Sequence, residues 1–425
     1  MKKTLILLLF IMALLAVPFG IGFITQQRGE QLVEHYRLNP AIHAMENVFQ
    51  RGWFHSDVLS KITVYLPEVN DKNFEVVVHQ SVRQGPVLWG DDRPLVFGFA
   101  DVKTDIELPV DMQNKLTQAL GKNISLLTQL HYDGSQSSTL SMPEFTYLSK
   151  DNTHITFHPL KLEGHSNLPV NQVQGTLNWQ GIKLSKDDNQ ADIGQSLSHI
   201  DMQQVGVIWT GDMDWHSDEI KINQQAGSLQ ANNITIKAET LIDEQQRVSS
   251  TQSLHIEKVN NQGIEYGPGK YTITLNHIPL SVFEKLDSIQ QQIATLPPEQ
   301  REKAMNNMGF SMFNLLPDIL AAEPEIKLHD VLLVTPHGNI QGEFFFTLIG
   351  LSKQDMMNFT KIKQHIRADM QLQFPSALLS ASGAAQIEAF MKKGWLTEKD
   401  GMLYSALHMA DGTLTINEQS IALPF

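Results

Sequence analysis

The sequence predicts an α+β protein with an N-terminal transmembrane helix, a large mainly antiparallel β region and a C-terminal α+β part. Three observations carry this reading. An unbroken apolar run of twenty residues, Leu5 to Ile24, follows Met1, Lys2, Lys3 and Thr4. From Lys61 to Thr274 the apolar positions recur with a period of two. From Ser281 onward, helical spacings alternate with further strands. The chain accordingly divides at sequence level into 1–25, a cytoplasmic tip and signal-anchor; 26–280, a β-rich exported region; and 281–425, an α+β region.

Twenty helical residues rise about 30 Å, the thickness of a bilayer's hydrocarbon core. A cleavable signal has a shorter apolar segment and small residues at alternate positions near its end. The one such pair here, Gly20 and Gly22, lies inside the run. An uncleaved anchor is therefore expected, with Lys2 and Lys3 held on the cytoplasmic side and the remainder exported. Ala16 and Gly20, four apart in the run, allow close helix approach and make a homo-oligomer one expected partner state.

After the anchor, Gln31 to Phe49 reads as a short amphipathic helix interrupted by Pro40. Segments 62–66, 74–78 and 154–158 read as strands bounded by turn residues. Gly175, Gly206 and Gly227 each precede an alternating stretch, and the connections are too short for crossover helices, which leaves antiparallel pairing. Ser281 and Glu284 fit a capping box for a helix carrying Val282, Phe283, Leu286, Ile289 and Ile293. Pro297 and Pro298 open another helix running towards Leu316. Strands at 326–335 and 339–348, a helix from Ser352 to about Gln364, a strand at 366–374 and a helix from Pro375 to Lys393 follow. The chain closes on a hairpin turning at Asp411-Gly412, with Tyr404, Leu407, Met409, Leu414 and Ile416 facing inward.

Composition narrows the functions. The 42% hydrophobic content supports packed structure, and the net charge of −14 excludes nucleic acid as a partner. The absence of cysteine removes disulfides, thiol catalysis and cysteine-based zinc sites. Sixteen histidines contain no His-Glu-x-x-His pair. The candidate metal ligands are Asp212, Asp214, His216 and Asp218, which alternation places on one strand face where a divalent cation is plausible chemistry. The competing reading of that segment is a solvated face with Met213 and Trp215 turned inward. Nucleophile elbows and phosphate loops are absent, no cofactor is implied, and no catalytic residue is assigned.

Several segments together resemble the bacterial YdgA-like family of envelope proteins, whose function is unassigned. They are Arg51-Gly52-Trp53-Phe54-His55-Ser56, the Gly85-Pro86-Val87 strand end, where Gln84 stands in place of the family's histidine, Gly394-Trp395-Leu396, and Gly412 to Asn417. Glu418 replaces the glycine that closes the last motif. The resemblance implies a single-pass inner-membrane protein, attached through residues 5–24, with its C-terminal region in the periplasm. The expected work is binding or scaffolding, with an acyl chain or extended polypeptide held on a β-groove; Met305, Met308 and Met312 either line such a groove or, the reading methionine's gap-filling favours, fill the core. An envelope hydrolase with scattered polar site residues and a structural homo-oligomer are the alternatives.

Overall fold

Alternating apolar and polar residues build strands that pair, almost throughout, with their neighbours in sequence. The computed structural model describes residues 42–65, 73–90, 93–107, 125–148, 152–167, 170–225, 227–294, 296, 300, 304, 314–352, 355, 359–378 and 381–421. The chain divides into two units, Met1–Lys183 with Ile289–Asn306, and Leu184–Ser288 with Asn307–Phe425. The expected transmembrane helix at Leu5–Ile24 and the methionines 305, 308 and 312 lie outside the described residues. Among the described residues no helix is long and apolar enough to cross a membrane. The described fold is mainly antiparallel β with few helices, consistent with the α+β class.

In the first unit, β1 (Ile42–Arg51), β2 (His55–Tyr65) and β3 (Asn73–Gln84) pair in succession. A loop carrying the short pair β4 (Val87–Leu88) and β5 (Val96–Phe97) leads to β6 (Ala100–Glu107), which returns to β3. The sheet continues through β7 (Ser125–Leu130) and β8 (Gln136–Met142). A hairpin of β9 (Phe145–Leu148) and β10 (His154–Phe157) intervenes. Then β11 (Leu160–Ser166) lies between β8 and β12 (Gln172–Trp179). The core is small: Val58, Val82 and Ala100 are buried, with Phe49, Phe99, Val102 and Leu130 packed around them.

The amphipathic helix expected over Gln31 to Phe49 is corrected: residues 42–49 are part of β1, and the preceding ones lie outside the described residues. Helical spacing of apolar residues there competes with pairing to β2, and nine cross-strand partners decide for the sheet. Gly175 is also not a strand opener. It sits mid-strand opposite Gly164, whereas Gly206 (φ 60) turns a hairpin and Gly227 begins a strand.

After β13 (Ile182–Lys186), the second unit repeats the up-and-down scheme on longer strands. They are β14 (Asn189–Ile193), β15 (Ser196–Val205), β16 (Ile208–Gln224), β17 (Gly227–Ile242), β18 (Arg247–Asn261), β19 (Ile264–Tyr266) and β20 (Gly269–Pro279). Strand β16 is long enough to pair with β15 over one part and β14 over the other. The predicted helix is present as α1 (Leu280–Ala294), and Leu280 seals a buried cluster with Val248 and Ile278. Phe283 of α1 and Ile319 of α2 (Leu316–Ala321) pack against the same cluster. The chain then resumes beside β20 with β21 (Glu325–Thr335) and β22 (Gly338–Leu348). Next come α3 (Phe359–His365), β23 (Ile366–Pro375) and α4 (Ala381–Lys392). The helix expected from Pro375 starts later, after a single 3-10 turn at Ser376–Leu378.

Strands β24 (Thr397–Lys399), β25 (Met402–Ala410), β26 (Thr413–Ile416) and β27 (Gln419–Ile421) close the chain. Asp411 (φ 48) and Gly412 (φ 74) form the expected tight turn between β25 and β26. All five expected inward residues are only half-buried; Leu407 and Met409 share their face of β25 with the fully buried Leu403, whereas Tyr404 is one residue out of step and lies on the reverse face with His408. Leu403→Ala is therefore expected to cost about 2–5 kcal/mol. Ile416→Ala should cost about 1 kcal/mol, since only part of its surface leaves water. Urea midpoints of the two variants check the order.

Asn417 (φ 46) and Glu418 (φ 65) turn β26 into β27 in the left-handed region. A non-glycine residue there costs roughly 1–2 kcal/mol, against roughly 0.5–1 kcal/mol of extra chain entropy for glycine. Glu418→Gly is expected to raise stability by about 0.5–1 kcal/mol in the same denaturation assay.

Candidate functional site

The four sequence candidates for metal binding all lie on β16 and share one sheet face. Across the ladder, Asp212 faces Asp201 and Glu239, Asp214 faces His199 and Lys237, and His216 faces Leu197 and Thr235. Two residues along a strand advance about 6.6 Å, so Asp212 and His216 are separated by roughly 13 Å along β16. The structure brings together only His216 and Asp218, with Nε2 to Oδ1 at 3.2 Å. The other ring nitrogen of His216 lies 3.1 Å from Thr235 Oγ1, so both are engaged within the protein. Among the described residues no three acidic or histidine side chains gather around one cation position. Met213 and Trp215 do turn to the opposite, apolar face, yet Met213 keeps 37% of its surface exposed.

That opposite face holds the larger feature. In register across ten strands of the second unit run Ile200, Met213, Ala238, Gln252, Ile273, Leu328, Phe344, Met370, Leu407 and Ile416. Nine of these ten are apolar, and none is buried; Ile273 remains 39% exposed. Nine interstrand steps of about 4.8 Å make the row roughly 43 Å long. A neighbouring row adds Leu275, Ile326, Phe346, Ala368, Met409 and Leu414. On the reverse face the corresponding row reads Asp201, Asp212, Glu239, Thr251, Thr274, Lys327, Phe345, Asp369, His408 and Thr415. The sheet is thus apolar on one side and largely polar on the other.

A shallow groove of about 300 Å³ lies on β21, β22 and β23, with Lys327, Glu343, Phe345 and Asp369 among its walls. Two of its charges are paired: Lys327 with Glu325 at 2.7 Å, and Asp369 with His408 at 2.7 Å. Burial works to raise the Glu325 carboxyl, but its bonds to Lys327 and Asn276 and the Lys327 charge prevail and hold it below the ordinary glutamate value.

The motif residues cluster structurally. Gln84 donates its side-chain amide to Ser56 Oγ, and its backbone N–H to Phe54 O at 2.9 Å. A Cβ on Gly85 would lie 1.8 Å from Gly98 O, so only glycine allows this approach. Asn417 joins the C-terminal motifs: its amide donates to Gly394 O at 3.0 Å and its carbonyl oxygen accepts from Ala406 N–H at 2.8 Å.

Sequence reasoning missed one polar centre. Arg83 on β3 and Asp101 on β6 are directly opposed, and Arg83 Nη2 lies 2.5 Å from Asp101 Oδ2. Arg93, from the intervening loop, places Nη1 2.5 Å from Asp101 Oδ1. The three side chains are 2%, 9% and 3% exposed for Arg83, Arg93 and Asp101. Arg83 Nη1 also faces the carbonyl oxygens of Gly90, Arg93 and Pro94 at 3.1–3.3 Å. Two guanidiniums and one carboxylate thus clamp the loop onto the sheet. The one sequence signal was charge at alternate positions of otherwise inward-facing strand ends, which reads equally as an exposed edge.

A family model described as a bacterial protein of unknown function (DUF945) matches residues 1–424. The chain belongs to this family. No curated protein and no solved structure matches the chain significantly. The family membership agrees with a β-rich bacterial protein and brings no catalytic residue with it.

Truncating Asp101 leaves two buried guanidiniums without their carboxylate. Asp101→Ala is expected to destabilise the protein by about 3–5 kcal/mol. The surface pair Lys103–Asp105, at 3.6 Å, provides the comparison. Asp105→Ala should cost no more than about 1 kcal/mol. Chemical denaturation of both variants measures the difference.

Proposed function

We propose that this chain is an envelope binding protein that holds the acyl part of an amphiphile on the apolar face of its second unit. The observation that carries this is the roughly 43 Å row from Ile200 to Ile416, apolar at nine of ten positions and buried at none. A polypeptide ligand binds chiefly through main-chain hydrogen bonds at a strand edge. On the face of a paired sheet those groups are already used, and side chains offer dispersion contact and removal of apolar surface from water. Hydrocarbon matches that offer. The length accommodates more than one chain, each spanning about 15 Å, half of a bilayer's hydrocarbon core.

In this reading the run Leu5–Ile24 attaches the chain to a bacterial inner membrane, and Lys2 and Lys3 keep its tip cytoplasmic. The remainder occupies the periplasm, as the likeness to YdgA-like proteins implies. The hydrolase alternative gains no support from the site: the acid–histidine segment on β16 assembles no compact polar pocket.

The test uses the full chain in bacteria whose lipids carry a radioactive label. A photoreactive benzophenone amino acid replaces Ile273 or Met213 on the apolar face, and Thr274 or Asp212 on the reverse. Irradiation is expected to attach labelled lipid at 273 and 213 and none at 274 or 212. Equal labelling of both faces, or adducts to protein alone, would overturn the proposal.

A further inference from the structure

A separate set of residues, in the first unit, points to a second apolar surface. Three turns meet at one end of the sheet: β1–β2 at 52–54, the clamped loop at 85–99, and β7–β8 at 131–135. They are tied together by Gln84 N–H to Phe54 O at 2.9 Å, Phe99 N–H to Leu130 O at 2.8 Å, and Tyr132 Oη donating to Pro86 O. On them stand Trp53, Trp89, Leu95, Phe97 and Tyr132, each more than half exposed, with Leu95 at 61% and Phe97 at 68%. Phe54 packs on Trp89 at 5.1 Å between ring centroids.

The tip is held in place. The loop's own Arg93 is turned inward onto Asp101, and Arg83 grips three carbonyls of residues 90–94. These interactions fix the backbone that displays Trp89, Leu95 and Phe97. They also withdraw two positive charges from the displayed surface.

We infer that this end of the first unit inserts into the interface of a lipid bilayer. Tryptophan and tyrosine at the rim with leucine and phenylalanine beyond them is the residue mixture that settles at headgroup depth. This inference rests on the reading of Leu5–Ile24 as a membrane anchor, in which the chain itself supplies the tether. Residues 25–41 separate the apolar run from β1. Fully extended, those 17 residues span at most about 60 Å. Strand β1 has 10 residues, a length of roughly 34 Å. The linker is therefore long enough to rise past β1 and let the strand descend to place its far end, Arg51 to Phe54, on the membrane that holds the anchor.

Charge sets the lipid preference. Asp133 sits in the β7–β8 turn, its carboxyl held below the ordinary aspartate value by bonds from the Ser135 hydroxyl and N–H. Anionic headgroups gain nothing from this carboxylate, so insertion is driven by apolar contact and extends to zwitterionic bilayers.

The cysteine-free chain makes the test direct. Single variants Leu95→Cys, Phe97→Cys and Glu144→Cys of the full chain are labelled with an environment-sensitive fluorophore. Glu144 is exposed beyond the opposite end of β8 and serves as the reference. Each is reconstituted into vesicles of pure phosphatidylcholine, or of phosphatidylcholine with phosphatidylglycerol, containing doxyl-labelled lipid. Labels at 95 and 97 are expected to shift to the blue and be quenched severalfold more than at 144, in both compositions. Quenching at 95 and 97 no greater than at 144 overturns the inference and assigns the tip to a protein partner. Quenching confined to the anionic vesicles also overturns it, since that would mark a headgroup site.

Discussion

Backbone pairing between neighbours in sequence sets every other property of the second unit. Strands β15 to β18 pair in succession, β18 with β20, and β20 onward to β23. Even the insertion that contains α1 and α2 delivers the chain back beside the strand it left. Because pairing fixes register, and register fixes which side chains share a face, the ladder alone aligns apolar positions from ten strands into one row. The buried cluster of Val248, Ile278 and Leu280 is small by comparison. Hydrogen bonding along the ladder, with apolar contact only partly removed from water, carries the unit.

Strands were legible where alternation met turn residues. Segment 74–78 falls within β3, segments 62–66 and 154–158 overlap β2 and β10 up to Tyr65 and Phe157, and the closing hairpin turns at Asp411-Gly412 as its residues require. The failure at 42–49 shares one cause with the Gly175 reading: a local pattern was taken where pairing with a distant segment decides. Inward positions were legible by parity only where it was followed strictly, since Tyr404, out of step with Leu407 and Met409, lies on the reverse face; depth was not legible. Parity separates Met213 from Asp212, whereas only the structure shows that Met213 is left uncovered and Leu403 is the residue sealed from water.

The clamp was illegible for a different reason. Arg83, Arg93 and Asp101 have no spacing rule, since Arg93 reaches Asp101 from a loop while Arg83 meets it across the ladder. Burial of a charge is a property of what surrounds it. The three carbonyls around Arg83 come from residues 90–94. The structural motifs were closer to the surface of the sequence, because Gly85 and Asn417 act through backbone approach and bonding that their residue types announce.

A meander has one further property. Along the apolar row each inner strand meets one neighbour on either side, so gaining or losing a hairpin there leaves the remaining strands on the same faces. Such an event changes the apolar row by two interstrand steps, about 10 Å, with no new fold required. The span of the apolar face is consequently a variable that descent can adjust in increments, matching the reach of the surface to the size of what rests on it.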